Sequence, residues 1–210
     1  MILQKVVRGV SGLRRDPGND EVAEIMSRSG LLCAAVRNGR AKSPDEADAL
    51  LGPTELDDHR HRHLRVGYSS PYISMTAGTY EERNKQNHAA FAIDTALAFA
   101  TRGHQTSGWL FYGYVFLLGR PAGMHGEFGE EVRDVHQHPE WSRFRAEGEV
   151  AIPLRVPPRR LQRAELYTPR DIMSAVQNRV WPPDPSDIVD NEAAGRYRPP
   201  EEIMAGRGMI

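Results

Sequence analysis

Two glutamates one residue apart, Glu147 and Glu149, sit in the run Arg145-Ala146-Glu147-Gly148-Glu149-Val150-Ala151-Ile152-Pro153. The run reads as a β-strand, and the period of two along a strand sends both carboxylates to one face. Because Val150-Ala151-Ile152 turns apolar directly after the pair, the acids fall at the rim of a buried sheet. A pair of carboxylates there suits chemistry in which positive charge develops, such as cleavage of a glycosidic bond through an oxocarbenium ion. Charged residues are mostly solvated, so the pair alone equally describes an ordinary strand end.

Two other segments carry groups that would serve such a site. Arg8 closes a short β-branched run beside Gly9, where a guanidinium and the bare backbone can both approach a ligand. An arginine grips phosphate through a two-pronged set of N–H donors. In Tyr72-Ile73-Ser74-Met75-Thr76, alternation puts Ser74 and Thr76 on one face, and a strand hydroxyl can hold a carboxylate in place. A strand-end arginine is usually solvated and a strand serine usually structural; it is the order Arg, Ser-x-Thr, Glu-x-Glu that raises the set above its parts.

The elements that must position these residues follow from local signals. Leu3 to Arg8 predicts a first strand ended by Gly9 and Gly12. Asn19 or Asp20 caps a helix over Glu21 to Arg28 that Gly30 stops, and Ser43-Pro44-Asp45-Glu46 opens a second helix that Gly52 ends. A polar segment from Glu55 to Arg65 precedes the Ser-x-Thr strand, which opens into a charged loop, Thr79 to Gln86. Asn87 to Thr101 is apolar nearly all round, which predicts a helix buried on several sides and closed by Gly103. Trp109 to Leu118 reads as a central aromatic strand, and Leu161 to Tyr167 as another. From Pro169 onward a weak helix and the clusters Trp181-Pro182-Pro183 and Arg198-Pro199-Pro200 predict an extended tail, so residues 1–168 form the domain and 169–210 the appendage. Strands mixed with helices without βαβ rhythm indicate an α+β fold.

Composition narrows the function classes. The 210 residues carry 27 basic and 28 acidic side chains, a net charge of -1 that gives no global case for nucleic acid. Lys5, Lys42 and Lys85 are the only lysines. Cys33 is the single cysteine, which excludes an intrachain disulfide and any multi-cysteine metal site. The sequence has no Gly-x-Gly-x-x-Gly or Walker-type loop and no nucleophile elbow. His59-Arg60-His61-Arg62-His63 has the alternation that would put three imidazoles on one strand face, yet its arginines repel a cation, and the default is an exposed polar segment; no metal site is assigned. The opening residues lack the apolar stretch of an export signal and nothing later reads as a membrane span, so the chain is expected to be soluble.

The order of the three segments resembles the cholera-toxin and heat-labile-enterotoxin type of mono-ADP-ribosyltransferase. The resemblance rests on Val7-Arg8-Gly9, on Ser74-Met75-Thr76, on Glu147-Gly148-Glu149 with its following Val150-Ala151-Ile152-Pro153, and on Leu56-Asp57-Asp58-His59-Arg60. The last is similar to the family's stretch bearing an auxiliary active-site histidine. The resemblance spans about residues 3 to 165. Two departures stand out: Ser-Met-Thr replaces Ser-Thr-Ser, and Val10 and Ser11 stand where the family has an aspartate near its arginine.

The resemblance implies a split α+β fold, two small sheets packed across one another with flanking helices around a cleft for NAD+, the co-substrate. It implies that Arg8, Gly9, Ser74, Thr76, His59 and Glu149 bind NAD+ and that Glu149, Glu147 and Ser74 are catalytic. Ser74 would hold Glu149, which would stabilise the oxocarbenium ion, while Glu147 would orient an acceptor arginine. The loop His138 to Phe144 would face the target, with Trp141 or Phe144 in contact, and Arg83 or Lys85 would lie near the phosphates. The family further implies a bacterial toxin or effector, delivered by a specialised route into a target-cell cytoplasm, with a cognate immunity or activator protein among its partners. Hydrolysis of NAD+, transfer to nucleic acid, and a catalytically dead binding module are the competing expectations.

Overall fold

The longest pairing in the molecule joins β1 (Ile2–Ser11) to β6 (Gly108–Leu117), antiparallel from Ile2↔Leu117 to Ser11↔Gly108. The computed structural model describes residues 2–16, 18–62, 68–77, 88–117, 133–134, 149–192 and 194. Around that pair, β5 (Tyr72–Ala77), β7 (Arg133–Asp134), β8 (Glu149–Pro153), β10 (Leu161–Tyr167) and β11 (Asp187–Asp190) complete a seven-stranded sheet in the order β11-β10-β6-β1-β5-β8-β7. Every neighbouring pair in it is antiparallel. The fold is therefore α+β with one main antiparallel sheet. Two short ribbons accompany it, β2 (Arg15–Asp16) with β3 (Asn19–Asp20) and β4 (Leu31–Leu32) with β9 (Arg155–Val156).

Both faces of the sheet are covered. On one side Val6, Ile73, Met75, Trp109, Phe111 and Ile152 pack with Val22, Met26, Leu31 and Cys33 from the N-terminal segments. These come from α1 (Glu21–Glu24), which Asp20 caps by accepting from the Ala23 N–H and which runs on as a π-helical turn over Ile25–Ser29, and from the stretch that follows. On the other side Val7, Leu110 and Tyr167 pack with Ala96, Leu97 and Ala100 of α5 (His88–Ala100) and with Ile172 of α6 (Pro169–Asn178). A strand buried on both faces has no polar face to show, which is why β6 reads as continuous apolar sequence.

Several sequence expectations change in the fold. The first strand does not stop at Arg8 but continues through Gly9 to Ser11, because β6 supplies a partner for every residue. The segment from Glu55 is not an open polar stretch: α2 (Ala34–Arg37), α3 (Pro44–Asp48) and α4 (Pro53–Arg62) are helices, and Leu56 and His59, three apart on α4, are both buried. Over residues 93–100 helix α5 is not buried all round, since Phe99 is 51% exposed while Ala96, Leu97 and Ala100 are buried.

The segment after 168 is the largest change. Thr168 and Asp171 form a reciprocal cap on α6, β11 pairs with β10 from Arg163↔Asp190 to Leu166↔Asp187, and Asn191 is buried. The Asn191 amide donates to the carbonyls of Met26, Pro158 and Leu161, tying three distant segments together. Residues 169–192 are thus an edge of the sheet and a cover for it, not an extended tail. Turn-rich sequence hid this, because four residues of edge strand carry too short a pattern to read.

Candidate active site at the fork between β1 and β5

Strand β1 leaves β5 partway along its length. Val6 pairs with Ala77 and Val7 with Thr76, and the ladder stops there, although Arg8 and Met75 lie directly beyond. The two strands diverge from this point: β1 stays with β6, while β5 follows β8. Divergence of paired strands leaves backbone polar groups without ladder partners, and buried groups of that kind must be satisfied in another way.

Arg8 supplies part of the answer. Its Nη1 donates to the Ser74 carbonyl at 2.5 Å, across the open end of the ladder. On the β5 side the Thr76 hydroxyl donates to the Val7 carbonyl at 3.1 Å, sealing the last rung. Ser74 is two residues from Thr76 on the same strand face, and its Oγ is hydrogen-bonded to His59 Nε2 at 2.9 Å. Arg8, Ser74, Thr76 and His59, assigned to one site from sequence, are together at the fork.

Glu149 begins β8 at the register position opposite Thr76, and Ala151 is opposite Ser74. Backbone register therefore puts Glu149 one strand away from the Ser-x-Thr segment. Glu147, the loops Thr79 to Gln86 and His138 to Phe144, Arg83, Lys85, Trp141 and His63 lie outside the described residues.

Gly9 has a different employment from the one expected. A Cβ at Gly9 would lie 2.0 Å from the Ala96 carbonyl oxygen and 2.8 Å from the Ala100 nitrogen, so α5 occupies the space that a side chain would need. The bare backbone admits the helix rather than a ligand. Gly108, across the sheet at the register position of Ser11, is crowded in the same way by Ala100.

His59 owes its position to neighbours that sequence reasoning missed. Leu56, one turn earlier, packs with Tyr72 and Ala151. The Tyr72 ring lies 5.8 Å from the imidazole, tilted by 51°. The Tyr72 hydroxyl bridges the Gly52 N–H at 3.3 Å and carbonyl at 3.4 Å, just before α4 begins. Glu55, at i−4 from His59, is held in an ion pair by Arg40 and accepts from the Tyr68 hydroxyl at 3.0 Å. Burial and then this hydrogen bond push the Tyr68 phenol up to about 12. Arg40, raised chiefly by its hydrogen bond to Glu55, also donates to the Ser69 carbonyl at 3.0 Å. The i, i+4 spacing of Glu55 and His59 was the one available signal, and it only says that they share a helix face.

The helical state of α4 also separates His59 from His61. Residues two apart on a helix are separated by about 200° around its axis, so these two histidines do not have the shared face that a strand would give them. Among the described residues no cluster of three or more His, Cys, Asp or Glu side chains is placed to hold a metal ion. No helix among the described residues is long and apolar enough to cross a membrane.

An α+β protein with one antiparallel sheet and a polar cluster at a strand fork is the class that fold and geometry define. No family model matches the sequence. No curated protein matches it. Among solved structures the chain is similar to one named EcPltA, with a TM-score of 0.48 and 12% identity over 91% of this chain and 87% of that one. A likeness at that level contributes nothing to the reading of the site.

Proposed function

We propose that the chain is an NAD+-dependent mono-ADP-ribosyltransferase of the split α+β type, acting on an arginine of a target protein. The observation that carries the reading is the junction of Arg8, Ser74 and His59, three residues from β1, β5 and α4 that meet through two hydrogen bonds at the point where the sheet divides. The narrow seam between β1 and β5, two register pairs among the described residues, supports a sheet that works as two halves with a cleft at their divergence.

In this reading Arg8 both braces the cleft and faces the dinucleotide phosphates, a task for which a planar guanidinium is suited. The C1′–N bond of the nicotinamide ribose breaks, nicotinamide leaves with the bonding electron pair, and Glu149 stabilises the oxocarbenium ion. A guanidinium nitrogen of the acceptor then attacks C1′ and loses its proton to Glu147, which is required because free guanidinium is always charged at neutral pH. Ser74 fixes the carboxylate, a role supported by its bond to His59 and by its strand lying beside that of Glu149. With the family resemblance, the reading extends to a bacterial toxin or effector that modifies a protein of another cell.

The test is incubation of the protein with NAD+ labelled in the adenosine half and a eukaryotic or bacterial lysate, followed by mass spectrometry of labelled peptides. ADP-ribosylated arginine is the expected product, lost in Arg8→Ala. Label appearing only as free ADP-ribose would point to an NAD+ hydrolase, and label on nucleic acid to a different acceptor. Absence of nicotinamide release and of NAD+ binding would sink the reading and favour a dead binding module.

A further inference from the structure

Resting on the transferase reading, we infer that Tyr72 is a positioning residue that sets the orientation of His59 toward Ser74. Tyr72 and Ser74 are two apart on β5, so they share the strand face that α4 covers. Ile73 and Met75, between and beside them, belong to the opposite core. The face thus presents an aromatic ring and then a hydroxyl to the same helix, and His59 meets both.

Three constraints converge on this tyrosine. Its backbone N–H donates to Ser70 Oγ at 3.0 Å, and it pairs in register with Pro153, so the strand start cannot slide. The residue is only 3% exposed and packs with Leu56 and Ala151 beneath α4. Its hydroxyl holds both backbone groups of Gly52, immediately before Pro53 opens the helix. One side chain therefore clamps the start of α4 with its oxygen and braces the imidazole nearly two turns later with its ring.

Buried between Tyr72 and Ser74, His59 depends on the ring for the angle at which Nε2 meets the hydroxyl. A polar pair tolerates little rotation, because hydrogen bonds weaken steeply once the donor angle closes. Losing the ring leaves a space into which the imidazole can turn, and Ser74 then loses its partner. Losing only the oxygen releases the Gly52 turn while the ring still supports His59.

The experiment combines steady-state nicotinamide release with NMR of protein carrying 15N-labelled histidine, for wild type, Tyr72→Phe and Tyr72→Leu. Tyr72→Leu is expected to lower kcat by about tenfold or more, with KM for NAD+ within about threefold, the split expected when a catalytic geometry loosens and binding does not. Tyr72→Phe should recover most of that loss, remaining about threefold below wild type, the scale of one neutral hydrogen bond. The His59 Nε2 resonance should move modestly in Tyr72→Phe and further in Tyr72→Leu. Should Tyr72→Leu fail to fold, Tyr72→Met, which fills more of the space but has no planar ring, takes its place.

An unchanged His59 resonance together with wild-type kcat in Tyr72→Leu overturns the inference, as does a loss in Tyr72→Leu that falls on KM instead. The parent reading fails separately: wild-type protein that releases no nicotinamide refutes the transferase, while the histidine spectra still report whether Tyr72 orients His59.

Discussion

Ser74 Oγ lies 2.9 Å from His59 Nε2, so the hydroxyl assigned from sequence to a carboxylate already has an imidazole partner. A hydroxyl has one proton to donate and two lone pairs with which to accept. It can therefore serve His59 and a carboxylate together only when His59 carries its proton on Nε2 and donates to the serine. Ser74 then keeps its own proton for Glu149. On the transferase reading such an arrangement would make the histidine part of how the acid is held, and it separates the consequences of altering either residue.

Ser74→Ala removes the link without disturbing the Ser74 carbonyl that Arg8 uses. Nicotinamide release should fall by about a hundredfold, the scale of losing one well-aimed group, with thermal stability lowered by only about 1 kcal/mol. His59→Ala should cost a similar factor in kcat, and His59→Gln, which keeps an N–H donor, should recover part of it. Equal rates for His59→Gln and His59→Ala would show that donation to Ser74 is not what the histidine contributes.

The two acids are expected to separate by product. Glu149→Ala should abolish nicotinamide release altogether, whereas Glu147→Gln should lose transfer to arginine while retaining some hydrolysis of NAD+. Chromatography of released nicotinamide beside labelled protein distinguishes the two. Normal transfer by both variants would refute the assignment of roles.

Gly9→Ala tests the packing account of that glycine. A methyl group 2.0 Å from the Ala96 carbonyl oxygen cannot be absorbed by a side-chain rotation, because the obstacle is helix backbone. Helix α5 must shift away from β1, at a cost of about 3 kcal/mol or more, read as a fall in denaturant midpoint. A variant as stable as wild type would show that α5 has room to move.

Truncation after Thr168 tests whether the C-terminal segment belongs to the domain. It removes α6, β11 and Asn191, uncovers the β10 edge, and deprives the Met26, Pro158 and Leu161 carbonyls of their shared donor. The shortened protein is expected to be insoluble or unfolded by circular dichroism. In the full chain, Asn191→Ala should cost about 3 kcal/mol through carbonyls left buried without their donor.

Acid should loosen α6 from its cap. Burial works to raise the Asp171 carboxyl, but hydrogen bonds from Ser186 and Thr168 outweigh it and hold its pKa below the ordinary aspartate value. A carboxyl whose folded pKa is depressed contributes stability that is complete above the unfolded value and is lost as pH falls through the folded one. Stability measured from pH 6 to pH 2 should therefore decline less at the acid end in Asp171→Asn than in wild type. Parallel pH profiles for the two proteins would remove Asp171 from the account.

Much of the architecture was legible locally. The strand at Leu161 to Tyr167, the helix of α5 and the capped starts at Asp20 and Ser43 follow from periodicity and capping chemistry, which act over a few residues. The same local rules marked Arg8, Ser74 and Thr76 as groups of interest, while His59 entered through the family resemblance. They failed where a distant partner decides the outcome. Gly9 looked like a strand end because nothing beside it in sequence announces the helix that covers it, and residues 169–192 looked like a tail because β11 is a strand only by virtue of β10.

By itself, then, the order of residues determined which groups are available for chemistry and which short segments adopt helix or strand, since propensity, capping and alternation are near-neighbour effects. Only the tertiary structure decided that β1 and β5 part after Val7 and Thr76, that Arg8 reaches across the gap to Ser74, and that Tyr72 stands between α4 and β5 beside His59. Those facts depend on packing between segments tens of residues apart, where burial and the need to satisfy backbone groups select one arrangement from many that the local sequence would allow.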